Sequence, residues 1–261
     1  MRQQDKEAER AYYDRYGPEL EEGLSGALYE RWLKAAGLLD AAPGDILEAA
    51  CGAGHFGYRL ALRGHRVTGV DLSPTMVGIA NAKAPSGFRA IAGDMEDPDM
   101  LPPGRFDVVF FGQALHHFPD IHKVLENCHR WLRPGGRLIM VEPNGSNPVN
   151  ALGKCIGRVL VLHPAMRKSI GTVNEVSLPV GRAVRALRRQ GFVVDLEQMK
   201  AQFPSETGAE QVRALPWTLR VLGACREGLY TACLTLLPPR MGGIQFILGA
   251  HKPDLIPVRP S

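Results

Sequence analysis

A glycine-rich segment and an aspartate downstream of it are the residues of this sequence best suited to hold a small charged ligand. The segment is ILEAACGAGHFG, residues 46–57, in which Gly52, Gly54 and Gly57 form G-x-G-x-x-G after an apolar run. In an open parallel sheet, such a turn lets a ligand approach the backbone and the N-terminus of the next helix. Asp71 follows Gly52 by nineteen residues, a spacing that suits a ribose. These features predict a nucleotide-type cofactor, and the glycines alone do not say which one.

Two more acidic residues help to choose between the ligands that this turn could take. Glu48 lies four residues before Gly52, near the end of the first predicted strand. Its charge opposes a pyrophosphate there and favours a cationic amino-acid group. Asp94 follows the third predicted strand in AGDM, where a carboxylate can accept a hydrogen bond from an adenine amine. Glu48 therefore disfavours a nicotinamide dinucleotide.

Candidates for a catalytic base follow the fourth predicted strand, in GQALHHFPD. His116 and His117 are expected at the mouth of the crevice, and a histidine titrates near neutral pH. Glu142, at the end of the fifth predicted strand, is expected on the side where an acceptor would bind. Each has a structural alternative, because one histidine can pack on the next helix while the other is solvated, and Glu142 can hold the PNGSNP turn. Among the three we favour His117.

The elements that position these residues alternate between strand and helix. Short apolar runs at ILEAA, RVTGVD, FRAIAGD, FDVVFFG and RLIMVEP are separated by longer segments, several of them amphipathic, with a tight turn RPGG before the last run. Such alternation is typical of βαβ units and a parallel sheet. A helical region, roughly residues 4–38, precedes the first strand, and FVVDLEQM and GIQFILGAHK predict two late strands. We therefore expect an α/β domain over residues 45–261 and an N-terminal helical lid over residues 1–44.

Composition places the chain among soluble globular proteins. Its 261 residues are 45% hydrophobic and 22% charged, with a formal net charge of +4. Lys and Arg are scattered rather than clustered, so we expect no nucleic-acid partner. Five cysteines without a C-x-x-C pair favour reduced thiols in a cytosol over a disulfide framework or a zinc site. No apolar run is long enough to span a bilayer, and we predict a cytoplasmic protein that needs no metal.

Two insertions interrupt the alternation, at about residues 144–180 and 205–240. The segment WTLRVLGACREGLYTACLTLL, residues 217–237, becomes apolar nearly all round in its second half, and such a helix must be buried or face something apolar. With ALGKCIGRVLVLHPAM it is expected to cap a lipid-like, isoprenoid or polyketide substrate. Three alternatives are open: packing of these helices on each other, a homodimer interface, or contact with a membrane surface.

The order and spacing of the motifs resemble the class I S-adenosylmethionine-dependent methyltransferases, in the small-molecule group similar to methyltransferase type 11. The pattern is E-x-x-x-G-x-G, V-D-x-S, G-D, F-D-V-V, L-H-H-F and L-R-P-G-G, within residues 45–143. The resemblance implies a Rossmann-like, seven-stranded, mostly parallel sheet with an antiparallel last strand and helices on both faces. It also implies S-adenosylmethionine as cofactor, S-adenosylhomocysteine as its product, and in-line transfer of a methyl group to a small molecule.

Carried onto this sequence, the resemblance also assigns the contacts of the cofactor. The residues expected to bind it are Glu48, Gly52 and Gly54 at the methionine end, Asp71 at the ribose, Leu72, Asp94 and Met95 at the adenine, Gln113 under the methionyl group, and Ala50, Met76 and Tyr13 around them. Ala50 departs from the family, which usually has glycine there, so we expect a slightly narrower turn. Tyr13, in AYYDRY, is expected to close over the cofactor, with packing between helices as the alternative.

Three other functions compete with this one. A protein or nucleic-acid methyltransferase would need a recognition domain or a basic groove, and the sequence shows neither. An NAD(P)-dependent oxidoreductase is disfavoured by Glu48 and by the later motifs. A catalytically silent protein that binds S-adenosylmethionine would keep the same cofactor residues. The sequence leaves open the methyl acceptor and whether its oxygen, nitrogen or carbon is methylated.

Overall fold

A seven-stranded sheet forms the centre of the fold in the computed structural model of this chain. The structure describes residues 6–21, 26–152, 178–200, 228–229, 232–233 and 235–254. The strands are β1 (Asp45–Ala49), β2 (Arg66–Asp71), β3 (Phe88–Ala92), β4 (Phe106–Gly112), β5 (Leu132–Pro143), β6 (Val193–Lys200) and β7 (Gln245–His251). Their order is β3-β2-β1-β4-β5-β7-β6. Strands β1 to β5 pair in parallel and β7 pairs antiparallel with both β5 and β6, which confirms the predicted fold class.

Helices precede the sheet and connect its strands. They are α1 (Lys6–Glu21), α2 (Gly26–Ala35), α3 (His55–Ala61), α4 (Pro74–Ala82), α5 (Ile121–Trp131), α6 (Val180–Arg189) and α7 (Pro239–Gly242). A short 3₁₀ turn, Leu115–His117, follows β4. Helices α1 and α2 lie within the helical region predicted for residues 4–38.

The sheet separates two hydrophobic cores, because successive residues of a strand point to opposite faces. Ile46 packs with residues of α2, α3 and α4 in one core, and its neighbour Leu47 packs with residues of α5 and α6 in the other. Both side chains are fully buried. Burial of one such side chain contributes about 1.5–3 kcal/mol, so packing on both faces fixes the position of β1. The carboxyl ends of the parallel strands are thereby held at one edge of the sheet.

Capping residues set the start of the helices that follow β2 and β4. The Ser73 hydroxyl accepts a hydrogen bond from the Met76 amide at 3.1 Å, and Pro74 occupies the first turn of α4. The Asp120 carboxylate accepts from the first backbone amides of α5. Both residue types satisfy amides that a helix N-terminus leaves without a partner. These capping residues therefore fix where the loops after β2 and β4 end and where helices α4 and α5 begin.

The RPGG segment differs from its prediction as a turn that precedes the fifth strand. Strand β5 already begins at Leu132, and its pairing with β4 shifts between the Phe106–Leu132 pair and the next pair along. Gly135 adopts a φ of 71°, which glycine tolerates best. Its amide donates to the Lys252 carbonyl at 3.0 Å, so the segment is an irregular part of the sheet rather than a free turn.

Most of the two predicted insertions, 144–180 and 205–240, lies outside the described residues. The same holds for most of the apolar segment 217–237, and the cap that it would form stays a prediction. The division of the chain at residues 44 and 45 into lid and domain also stays a prediction. Within the part that the structure describes, no helix is long and apolar enough to cross a membrane.

His65 predicts a dependence of stability on pH. The residue is 2% exposed, its Nδ1 accepts from the Gly44 amide at 3.2 Å, and burial lowers its pKa below the ordinary value. His65 therefore binds a proton more readily in the unfolded chain than in the folded chain. The free energy of unfolding falls as pH drops through about 6.5, the pKa of a free histidine. We expect urea denaturation to show a larger loss of unfolding free energy between neutral and mildly acidic pH for the wild type than for His65→Asn. Equal losses in the two proteins would contradict this.

Candidate active site

A cavity of about 360 Å³ lies at the carboxyl ends of β1 to β4. Its wall includes residues from each of the loops that follow these strands, among them Gly52, Leu72, Gly93 and Gln113, and also Tyr13 of α1. Ligands of open α/β sheets bind in this crevice. The structure therefore places a cavity where the glycine-rich segment predicts a site.

The Glu48 carboxylate occupies the N-terminal end of α3. Its Oε2 accepts from the Gly57 amide at 2.9 Å, and the residue is 2% exposed. The amides of a first helical turn attract an anion, and here a buried side chain of the protein is that anion. A pyrophosphate bound at the same turn would meet a like charge. Position 57 also requires glycine, because a Cβ there would collide with Glu48 and Phe88.

Two residues other than glycine in the cavity wall have a left-handed backbone. Ala50 has a φ of 50° and Gln113 a φ of 62°. Such conformations cost on the order of 1–3 kcal/mol each and cluster at functional sites. Ala50 is the position at which the sequence departs from the family that it resembles, and its backbone lies in the left-handed region that favours glycine. The Gln113 amide donates to the Val141 carbonyl at 2.8 Å, which ties this residue to β5.

Asp71 connects the glycine-rich turn to the start of α4. Its Oδ2 accepts from the Gly52 amide at 2.8 Å and its Oδ1 from the Ser73 amide at 2.9 Å. Each oxygen therefore has a backbone donor that fixes its orientation. A carboxylate has about four acceptor sites, so these bonds are compatible with further bonds from ribose hydroxyls.

Asp94 is paired with a residue of α1. The Lys6 Nζ lies 2.7 Å from Asp94 Oδ2 and 2.6 Å from Glu96 Oε2. Partial burial opposes the charge of Lys6, but hydrogen bonds to the two carboxylates raise its pKa above the ordinary value. The Lys6 ammonium and an adenine amine would bind the same Asp94 carboxylate, so they would share or compete for it.

Helix α1 supplies one side of the cavity. Lys6, Glu9 and Tyr13 all line it, and their spacing places them on one face of a helix. Farther along the helix, the Asp14 carboxylate accepts from the Ser73 hydroxyl at the start of α4. Side chains of α1 thus bind residues that follow β2 and β3, and the helix lies at the ends of the strands.

The two histidines that follow β4 are each hydrogen-bonded to a glutamate from another element. His116 Nδ1 lies 2.7 Å from Glu142 Oε2, and His117 Nδ1 lies 2.9 Å from Glu9 Oε1. Glu142 is fully buried, and its other oxygen accepts from two backbone amides of the turn after β4. Of the two histidines, His117 lines the cavity. The geometry thus gives Glu142 and His116 contacts that hold the turn, and brings His117 to the site.

Most of the residues predicted for the site line this cavity together. They are Tyr13, Glu48, Ala50, Gly52, Asp71, Leu72, Asp94, Met95, Gln113 and His117. The predicted residues that lie outside its wall are Gly54, Met76, His116 and Glu142. Gly54 precedes α3 with a φ of 82°, and Met76 is buried in the first turn of α4. Among the described residues, no group of three or more His, Cys, Asp or Glu side chains is placed to hold a metal ion.

An aromatic wall from α2 and α3 was not predicted. Tyr29 and Trp32 of α2 and His55 and Phe56 of α3 line the cavity. The Tyr29 and His55 rings are stacked with centroids 4.9 Å apart, and those of Trp32 and Phe56 with centroids 5.7 Å apart. The three-residue spacing of the two α2 aromatics in a predicted helix was the available signal. This wall gives the cavity a surface suited to a flat or apolar group.

Comparison with known proteins finds a family that matches the segment which supplies most of the cavity wall. Residues 47–140 match the family described as methyltransferase domain. We refer to residues 47–140 as the methyltransferase domain, after the family that they match. The methyltransferase domain extends from β1 into β5, and it contains the Glu48, Asp71, Asp94 and His117 side chains described above.

Curated relatives are similar over less than half of the chain. The ubiquinone biosynthesis O-methyltransferase of Pseudomonas paraeruginosa is 34% identical over 122 residues, which are 45% of this chain and 51% of the relative. The chain therefore spans about half the length of the curated relatives that it matches.

Solved structures share the fold over nearly the whole chain. A SAM-dependent methyltransferase from Thermotoga maritima has a TM-score of 0.62 at 18% identity, covering 93% of this chain and 99% of its own. The [4+2]-cyclase SpnF has a TM-score of 0.62 at 17% identity, covering 94% and 96%. At these identities the likeness shows the fold alone. The fold around the methyltransferase domain is thus shared with an enzyme named for a different reaction.

Substitution at Gly57 tests the contact with Glu48. We expect Gly57→Ala to lower the free energy of unfolding by about 1–3 kcal/mol, because the added methyl group overpacks the site. The matched control is Gly78→Ala in α4, where a Cβ would meet nothing within 4 Å. This variant should gain up to about 1 kcal/mol, the preference of a helix for alanine over glycine. Urea denaturation measures both, and a Gly57→Ala protein as stable as the wild type would show that the geometry around Glu48 is wrong.

Proposed function

We propose that this protein transfers a methyl group from S-adenosylmethionine to a hydroxyl oxygen of a small, apolar or aromatic molecule. The observation that carries the proposal is the buried Glu48 carboxylate at the N-terminus of α3, within a methyltransferase domain. A helix N-terminus that is already neutralised by a carboxylate suits a ligand whose nearby end is cationic.

The cavity fits such a cofactor in charge and in hydrogen-bonding capacity. Glu48, Asp71 and Asp94 bring three carboxylates to the wall at the ends of successive strands. They complement the ammonium and sulfonium charges, the ribose hydroxyls and the adenine amine of S-adenosylmethionine. In addition, the Trp32 Nε1 is buried without a hydrogen-bond partner among the described residues. Trp32 lines the cavity, and a ligand oxygen within reach of Nε1 would give this donor the partner that buried polar atoms generally have.

The residues of the chain mainly have to orient the reactants and exclude water. S-adenosylmethionine, when bound, supplies a methyl group that is already activated on a sulfonium. Oriented approach of an acceptor contributes roughly 7–11 kcal/mol in favourable cases. Tyr29, Trp32 and Phe56 line the cavity with aromatic surface, which would seat an apolar acceptor and displace water from it.

His117 is the residue that we assign as base. A neutral hydroxyl is a weak nucleophile, and a positioned base that takes its proton contributes roughly a hundred- to ten-thousand-fold. His117 lies in the cavity wall, whereas His116 and Glu142 bind each other beside it. The name of the Pseudomonas relative, an O-methyltransferase, favours oxygen as the acceptor atom. The lipid-like, isoprenoid or polyketide class of the acceptor stays a prediction.

A second candidate is a protein that binds the cofactor without transferring its methyl group. The observation in its favour is the shared fold of the cyclase SpnF, whose name describes a reaction other than methyl transfer. Both candidate functions predict binding of S-adenosylmethionine, but only the first predicts transfer of its methyl group. An oxidoreductase that uses a nicotinamide dinucleotide is disfavoured by the charge of Glu48.

Transfer of a labelled methyl group tests the proposal. The protein is incubated with methyl-labelled S-adenosylmethionine and a panel of catechols, hydroxylated quinone precursors, phenolic polyketides and isoprenoid alcohols, and products are detected by mass spectrometry. We expect a labelled methyl ether from at least one acceptor. His117→Ala should lower kcat by at least about a hundredfold and leave the affinity for S-adenosylhomocysteine unchanged. Binding of the cofactor without any labelled product would favour the silent candidate, and an active His117→Ala protein would remove the histidine from the mechanism.

A further inference from the structure

The partner of His117 comes from the helix that covers the cavity, and not from the methyltransferase domain. Glu9 of α1 and His117 are 108 residues apart in the chain, and their Oε1 and Nδ1 atoms are 2.9 Å apart. The two side chains are 11% and 17% exposed. A hydrogen bond this far removed from water is stronger and holds its geometry better than a surface contact.

The bond to Glu9 selects one tautomer of His117. An ionised carboxylate only accepts hydrogen bonds, so the Nδ1 of His117 must be the donor. In a neutral imidazole the hydrogen on Nδ1 leaves the lone pair on Nε2, the atom that can take a proton. The carboxylate also stabilises the imidazolium that forms when the proton arrives, the role that a buried aspartate has in serine-protease triads.

Other contacts of α1 fix the place of Glu9. Lys6, three residues earlier, binds the carboxylates of Asp94 and Glu96. Asp14, five residues later, binds the Ser73 hydroxyl. The Tyr13 ring meets the His117 ring edge to face with centroids 5.9 Å apart. Glu9 therefore reaches His117 only while α1 lies over the strand ends.

We propose that Glu9 is a positioning residue for the base, so that His117 is ready to take a proton only when α1 covers the cavity. This inference rests on the proposed function. In the step, the acceptor O–H bond breaks and its proton moves to His117 Nε2 while the oxygen forms a bond to the methyl carbon. The carbon–sulfur bond breaks and its electron pair stays on sulfur, which leaves a neutral thioether and an imidazolium beside the Glu9 carboxylate.

The adjacent pair supplies an internal reference for the test. His116 Nδ1 binds Glu142 at 2.7 Å, and both residues belong to the sheet side of the site rather than to α1. Because an ionised Glu142 carboxylate only accepts hydrogen bonds, a neutral His116 also carries its hydrogen on Nδ1. Loss of Glu9 should therefore change the tautomer of His117 and leave that of His116 unchanged.

The test is the tautomer of His117, read from long-range ¹H–¹⁵N NMR spectra of the full chain with ¹⁵N-labelled histidine at a pH where histidines are neutral. His117→Gln assigns the signals. We expect hydrogen on Nδ1 in the wild type and in Glu7→Gln, an exposed control on the same helix. In Glu9→Gln and Glu9→Ala a substantial part of the population should carry the hydrogen on Nε2, with His116 unchanged. A Glu9→Ala protein that keeps the wild-type tautomer overturns the proposal, whether or not methyl transfer is found.

A kinetic readout separates positioning from simple damage to the lid. With an acceptor identified in the labelling panel, Glu9→Gln should lower kcat at least about tenfold, because it removes part of the rate enhancement that a base provides. The KM for S-adenosylmethionine should stay within about twofold of the wild type. The defect should shrink when catechol is replaced by 4-nitrocatechol, which is ionised at neutral pH and needs no base. An equal loss of kcat with both acceptors, or an increase in KM alone, would show that Glu9 serves only to hold the helix.

Discussion

The hydrogen bond from the Gly57 amide to the Glu48 carboxylate determines which ligands the cavity can hold. Folds that bind dinucleotides leave the first turn of this helix free for a phosphate. Here the turn carries a side-chain anion that is 2% exposed, so bulk salt does little to screen its charge. The glycine at position 57 is required by the same contact. The G-x-G-x-x-G pattern is therefore present in the sequence, while its physical use differs from that in a dinucleotide site.

The strand ends and helix α1, which form two sides of the cavity, are held by different kinds of contact. The strand ends are held between two hydrophobic cores, which fixes Glu48, Asp71 and the turn after β4. Helix α1 is attached through polar side chains such as Lys6 and Asp94, each 35% exposed. Ion pairs of this exposure contribute at most about 1 kcal/mol, and the less exposed pair of Glu9 and His117 adds to the attachment of the helix.

Much of the fold and of the cofactor side of the site follows from local sequence. Strands β1 to β4 are short, mostly apolar runs, and each predicted carboxylate stands directly after or near the end of one, so chain order already places Glu48, Asp71 and Asp94 at one edge of the sheet. The segment RPGG was assigned to a turn because its residues favour one, but pairing with β4 and the contact of Gly135 with Lys252 draw it into β5.

The remaining side of the site depends on contacts between distant segments. Glu9 and Trp32 belong to helices whose own residues do not reveal where they dock. His116 and His117 are adjacent and chemically alike, and their difference arises from the partners that the fold brings to each, Glu142 in one case and Glu9 in the other. No local pattern carries that information.

The ligand preference of the cavity can be measured by calorimetric titration of the purified protein with S-adenosylmethionine, S-adenosylhomocysteine and NADH under the same conditions. We expect saturable binding of both sulfur nucleotides and none of NADH, because Glu48 already occupies the N-terminus of α3. Binding of NADH without binding of S-adenosylhomocysteine would contradict this expectation, since the turn would then accept a pyrophosphate in spite of the buried carboxylate.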